Sequence, residues 1–118
     1  MIKTLPHILC IDDDDKIREL LRVFLKKHNF RVSLARNASD ANSMVEFFSF
    51  DLLILDIMMP KTTGITFLKN FRKVNSKIPV LMLTADNNLI RKTESFIEGC
   101  DDYLIKPFEP YELVLRIN

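Results

Sequence analysis

The stretch Asp51-Leu52-Leu53-Ile54-Leu55-Asp56-Ile57-Met58-Met59-Pro60 decides how the chain is read. Leu52 to Leu55 are an unbroken apolar run, the length of a central strand covered on both faces. Asp56 follows at once, and Pro60 rules out any continuation of a ladder. A carboxylate at the carboxyl end of a central strand stands where open α/β sheets bind ligands. The same Asp is equally suited to starting a turn, so the rest of the chain has to decide its role.

On either side, strand-like and helix-like segments alternate. His7 to Ile11 form a short apolar strand, closed by Asp12-Asp13-Asp14-Asp15. Ile17, Leu20, Leu21, Phe24 and Leu25 then make one apolar stripe of helical period, with Asp14 or Asp15 as its N-cap. Phe30 to Ala35 alternate like a strand nearer the sheet edge. Ser39 is expected to cap a second helix carrying Ala41, Met44, Val45 and Phe48. After Pro60 a loop runs to Gly64 and a third helix with Ile65, Leu68 and Phe71. Pro79 to Leu83 are a further apolar strand ending at Thr84. A fourth helix spans about 87–98 and stops at Gly99, a common residue just past a helix end. Asp102 to Ile105 form the last strand, followed by Lys106-Pro107-Phe108. Pro110 opens a fifth helix with Leu113, Val114 and Ile117.

Five strand–helix units predict an α/β fold with a parallel sheet between two helical layers and right-handed crossovers. The expected architecture is the flavodoxin-like (βα)5 three-layer sandwich with strand order 2-1-3-4-5. A chain of 118 residues suits one domain spanning 1–118. Its fifth helix has only two turns before Asn118, so this helix is expected to be cut short. The formal net charge of +1 provides no global field toward nucleic acid or anionic lipid. Cys10 and Cys100 fit no metal or redox spacing and are expected as reduced, buried thiols of a cytoplasmic protein. No apolar run is long enough to span a membrane.

In that strand order the carboxyl ends converge. The first strand delivers Asp12 and Asp13, the third Asp56, the fourth Thr84 and the fifth Lys106. Two carboxylates ~4 Å apart repel by roughly 4 kcal/mol at an effective dielectric near 20. Three therefore call for a cation, and hard oxygen donors suit Mg²⁺. Lys106 adds a second positive charge and Thr84 a rotatable donor. Carboxylate, cation, ammonium and hydroxyl are the parts of phosphoryl transfer, with Asp56 as the nucleophile that forms an acyl phosphate.

These residues resemble the receiver domain of two-component response regulators. The likeness rests on Asp12-Asp13-Asp14, Asp56 followed by Met58-Met59-Pro60, Thr84-Ala85, Asp101-Asp102-Tyr103 and Lys106-Pro107-Phe108, in family order across essentially the whole chain. It implies that Asp56 accepts a phosphoryl group from a sensor histidine kinase. It further implies Mg²⁺ held by Asp13, Asp56 and the Met58 carbonyl, with Asp12 acting mostly through water. Thr84 and Lys106 would contact the phosphoryl oxygens, Tyr103 would follow Thr84 as the switch aromatic, and Lys106-Pro107 would be a cis peptide.

The segment 106–117 resembles the winged-helix OmpR/PhoB-type subfamily. That likeness implies a homodimer through the fourth helix, fifth strand and fifth helix on phosphorylation. Lys92 would oppose Glu112, Asp102 would oppose Arg116, and the partner of Asp101 would lie beyond Asn118. DNA would be bound only through a C-terminal effector domain absent from these 118 residues. Two departures from the family pattern stand out: Asp86, two residues after Thr84, and Thr62-Thr63 before Gly64.

Two other functions fit parts of the pattern. A haloacid dehalogenase-type phosphotransferase shares the Asp, Thr, Lys and Mg²⁺ set, but places its nucleophile after the first strand in an Asp-x-Asp-x-Thr/Val pattern that fails at Lys16. A phosphorylation-independent interaction module would not need the full set of acids, hydroxyl and ammonium. The expected protein is thus a switch that assists its own phosphorylation and dephosphorylation, with no independent substrate.

Overall fold

The computed structural model describes residues 4–117. Its elements alternate throughout: β1 (His7–Ile11), α1 (Asp15–Lys27), β2 (Arg31–Ala35), α2 (Ala38–Phe47), β3 (Leu52–Leu55), α3 (Gly64–Val74), β4 (Val80–Thr84), α4 (Leu89–Ile97), β5 (Asp102–Ile105) and α5 (Pro110–Ile117). The five strands form one parallel sheet in the order β2-β1-β3-β4-β5, as the alternation of segments predicts.

The apolar runs of β1, β3 and β4 are explained by burial on both faces. Successive side chains point to opposite sides of a sheet. Leu9, Ile11, Leu53, Leu55, Val80 and Met82 accordingly enter one core with Ala41 of α2 and Phe67, Leu68 and Phe71 of α3. Ile8, Cys10, Ile54, Leu81 and Leu83 enter the other with Leu21 and Leu25 of α1 and Leu113 of α5. Burying each such Leu, Ile or Phe stabilises the fold by about 1.5–3 kcal/mol, so both helical layers are held by ordinary apolar packing. Cys10 and Cys100 are free and buried, as expected; burial pushes the Cys100 thiol up to about 12 and makes it a poor nucleophile.

Helix ends differ from the sequence expectation in three places. Asn37 caps α2, its side chain accepting from the Asp40 backbone N–H at 2.8 Å, so Ser39 lies inside the helix. Asn and Ser cap about equally well, and the turn that leaves β2 sets Asn37 at the boundary. Phe48 falls just past α2 in extended backbone and is 59% exposed, outside the apolar face assigned to it. The fourth helix begins later than expected, at Leu89, because the Asn88 side chain accepts from the N–H groups of Ile90 and Arg91. At the other termini, Asp14 caps α1, Thr63 caps α3 and Pro110 opens α5. Asn118 lies outside the described residues.

Candidate functional site

The strand register carries the acidic residues to one rim. Ile11 pairs with Leu55, so Asp12 and Asp56 leave β1 and β3 side by side, and the Asp56 N–H donates to the Ile11 carbonyl at 3.0 Å. Both carboxylates are nearly covered, Asp12 at 3% and Asp56 at 4% exposure, while Asp13 is exposed. Leu55 pairs with Met82, which puts Thr84 one step beyond the level of Asp56 on the neighbouring strand. Thr84 pairs with Ile105, and its carbonyl accepts from the Lys106 N–H at 2.8 Å, so β5 delivers Lys106 to the same rim.

Asp12, Asp13 and Asp56 can each present a carboxylate oxygen within 4.8 Å of the other two. The Lys106 ammonium lies 2.6 Å from an Asp12 oxygen and 3.5 Å from an Asp56 oxygen. Backbone donors take the other oxygens: the Asp14 N–H reaches Asp12 at 2.9 Å, and the Met58 N–H reaches Asp56 at 3.2 Å. Burial raises the Asp12 carboxyl above the ordinary range, opposed by the bond from Lys106 and reinforced by the charge of Asp56. A cluster of hard oxygens with incomplete charge compensation fits a small divalent cation. The Lys106–Pro107 bond is cis, as the resemblance implies.

Gly64 sits directly against this site, and sequence reasoning treated it only as a loop end. A Cβ built there would stand 2.0 Å from the Asp56 carbonyl oxygen. The Gly64 N–H also donates to the Ile57 carbonyl at 2.9 Å, folding the loop after β3 back under Asp56. Only a residue without a side chain permits that approach. A Gly opening an amphipathic helix was the available signal, since Gly is a poor helix former.

Thr84 and Tyr103 are joined through Asp86. Thr84 is fully buried, and its hydroxyl oxygen accepts from the Asp86 N–H at 3.2 Å. Tyr103 is buried, and its hydroxyl donates to the Asp86 carbonyl at 2.6 Å. Burial and the nearby Asp86 carboxylate push the Tyr103 phenol up to about 12, so it remains a donor at neutral pH. The Lys92 ammonium stands 5.4 Å from the centre of the Tyr103 ring.

The charged residues expected on a dimer face are largely engaged within the chain. Arg116 pairs with Asp102 at 2.9 Å and with Glu112 at 3.4 Å. Asp101 pairs with Arg72 at 3.1 Å and accepts from the Val80 N–H at 2.8 Å. Lys92 and Glu112 are not brought together, and among the described residues Lys92 forms no ion pair.

Comparison with known proteins gives one consistent result. The model of the response regulator receiver domain family matches residues 8–118. The chain is 42% identical over 113 residues to protein PetR of Rhodobacter capsulatus, covering 96% of this chain and 47% of PetR. It is 39% identical over 111 residues to the transcriptional regulatory protein ResD of Bacillus subtilis, covering 94% of this chain and 46% of ResD. The chain thus spans about half the length of these curated relatives. Among solved structures, the receiver domain of the Francisella response regulator 1452 superposes with a TM-score of 0.89 at 34% identity, covering 96% and 93% of the two chains. The response regulator TrrA of Thermotoga maritima, in complex with Mg²⁺-BeF, superposes with a TM-score of 0.87 at 30% identity, covering 96% of each chain.

Proposed function

The chain belongs to the response regulator receiver domain family, and on that premise we propose that Asp56 is its phosphoacceptor, with Thr84 and Lys106 as the groups that meet the phosphoryl oxygens. Receiver domains are phosphoacceptor switches of two-component systems rather than classical enzymes, and sensor histidine kinases phosphorylate them. The observation that carries the residue assignment is the convergence of Asp12, Asp13, Asp56 and Lys106 on one rim.

Asp56 is buried in a sheet whose neighbours fix its backbone, so its carboxylate is pre-positioned for attack. A carboxylate oxygen forms a P–O bond as the P–N bond of a phosphohistidine breaks, and the electron pair leaves on the imidazole nitrogen. Lys106 stands between Asp12 and Asp56, where its ammonium can meet the added negative charge. The Thr84 hydroxyl rotates from the Asp86 N–H to a phosphoryl oxygen. Asp13, Asp56 and the Met58 carbonyl are the proposed direct ligands of Mg²⁺, with Asp12 acting mostly through water; the ion when bound would neutralise charge on the transferring group. The same groups assist hydrolysis of the acyl phosphate, so the domain speeds its own loading and unloading.

The output reading extends this switch. The proposed homodimer uses α4, β5 and α5, with Lys92, Asp101, Asp102, Glu112 and Arg116 setting register and partner choice. Relatives named as transcriptional regulatory proteins support control of transcription through a DNA-binding domain of the winged-helix type carried by a longer chain. Residues 1–118 then form one receiver unit working in the cytoplasm, and no helix among the described residues is long and apolar enough to cross a membrane.

The test is direct. Incubation with Mg²⁺ and acetyl phosphate should add one phosphoryl mass to the parent chain and none to Asp56→Asn. Addition that persists in Asp56→Asn would overturn the assignment.

A further inference from the structure

Asp86 is held on every side by groups that belong to different parts of the switch. Its N–H donates to the Thr84 hydroxyl at 3.2 Å, and its carbonyl accepts from the Tyr103 hydroxyl at 2.6 Å. One carboxylate oxygen accepts from the Asn88 N–H at 2.9 Å, in the turn that starts α4. The other accepts from the Arg91 guanidinium at 2.8 Å, in the first turn of α4. The Asp86 side chain is only 7% exposed, whereas that of Arg91 is 52% exposed. The Arg91 bond, ahead of the Asn88 N–H, holds the Asp86 carboxyl below the ordinary carboxylate range, so the pair is charged at neutral pH. Met58 and Ala85 line a shallow cavity of about 270 Å³ with Asp86, Asn87 and Arg91, so the pair borders the loop that follows Asp56.

We propose that Arg91 is a positioning residue: its pair with Asp86 holds the loop between β4 and α4 in a setting that keeps the Thr84 hydroxyl turned away from Asp56. This inference rests on the assignment of Asp56 and Thr84 made above. When the Thr84 hydroxyl turns toward a phosphoryl group, the Asp86 N–H loses its acceptor and the loop must move to find another. That movement is opposed while the Asp86 carboxylate is tied to Arg91 on α4. A contact made in only one of two arrangements biases the equilibrium toward that arrangement. Arg91 therefore weakens phosphoryl capture at Asp56 without touching the phosphoryl group.

The experiment titrates beryllofluoride, a phosphoryl mimic, in excess Mg²⁺ and follows backbone amide NMR signals of the parent chain, Arg91→Ala, Arg91→Lys, Asp86→Ala and the Arg91→Ala/Asp86→Ala double variant. Arg91→Ala should bind roughly two- to fivefold more tightly than the parent, the range permitted by an ion pair whose arginine is half exposed. Arg91→Lys, which keeps a charged donor, should return toward the parent affinity. Arg91→Ala should have little further effect once Asp86 is Ala, because the arginine acts through that carboxylate. Unchanged or weaker binding by Arg91→Ala overturns the inference, as does a full Arg91→Ala effect in the absence of the Asp86 carboxylate. Failure of the underlying assignment looks different: Asp56→Asn would then bind the mimic as tightly as the parent.

Discussion

The Lys106 ammonium is 2.6 Å from Asp12 and 3.5 Å from Asp56, a short bond to one buried carboxylate and a longer contact to the other. The ammonium thereby offsets part of the repulsion among the acids at the rim. Lys106→Met removes that compensation and should cost on the order of 2–4 kcal/mol at neutral pH without divalent cation, since an unpaired buried charge is expensive. Added Mg²⁺ should stabilise this variant more than the parent, because bound cation then relieves more repulsion. Asp13→Asn should show the reverse, a smaller Mg²⁺-dependent rise in Tm than the parent. Equal Mg²⁺ shifts in all three proteins would sink the idea of a shared charge balance.

Gly64 and Asp56 constrain each other through the backbone. A methyl group at Gly64 would sit 2.0 Å from the Asp56 carbonyl oxygen, which is backbone and cannot step aside. Gly64→Ala should therefore destabilise the domain by about 2 kcal/mol or more, through overpacking. It should also slow acetyl phosphate loading, because the strand end that carries Asp56 has to shift. Urea denaturation reads the first effect and intact mass against time reads the second. A variant with parent stability and parent loading would show that the loop relaxes freely.

These two relationships mark where sequence is informative and where it is not. The apolar runs of β1, β3 and β4 announce a doubly covered sheet, and the residues ending them announce the rim. Asp12, Asp56, Thr84 and Lys106 were legible because strand ends carry their chemistry in the residue type itself. Gly64 was not, since its role depends on a backbone approach to Asp56, eight residues earlier, that no periodicity reports. Arg72 escaped for a similar reason. Its guanidinium serves the carbonyls of Gly99, Asn75 and Ile78 as well as Asp101, and backbone acceptors leave no trace in side-chain pattern. Nothing in the sequence pattern singles out Arg91, and only the fold of the loop after β4 brings Asp86 to it.

His7 gives a pH dependence with a definite sign. It bonds Ser33 at 2.7 Å and packs on Phe50 with ring centres 4.6 Å apart. Burial and the positive charge of Arg31 lower its pKa, outweighing the backbone of Ser49 and the carboxylate of Asp51. A lowered folded pKa means that the unfolded chain takes up the proton first as pH falls. The stabilisation is complete above the ordinary His value of about 6.5 and is lost as pH falls through it toward the lower folded value. The parent should therefore lose stability as pH falls through about 6.5, the ordinary His value, and His7→Gln, which cannot titrate, should lose less. Parallel stability profiles for the two proteins would remove His7 as the cause.

Arg116 separates the stability of the fold from the proposed assembly. It pairs with Asp102 at 2.9 Å within the chain and reaches Glu112 at 3.4 Å, and all three side chains are partly solvated. Such pairs contribute about 0–1 kcal/mol, so Arg116→Ala should scarcely change the urea midpoint. In the proposed dimer the same guanidinium faces Asp102 of a second copy, and forming that contact means exchanging an internal partner for an external one. Because the exchange replaces like with like, it adds little affinity, but it penalises any register that leaves the arginine or the carboxylates unpaired. Arg116→Asp should then weaken beryllofluoride-dependent dimerisation well beyond its effect on stability, since it sets like charges against Asp102. Arg116→Asp combined with Asp102→Arg should recover much of the loss by restoring opposite charges across the interface. Sedimentation velocity with and without the mimic reads these changes. A dimer indifferent to Arg116→Asp, or a double variant no better than the single one, would place the assembly on another face of the sheet.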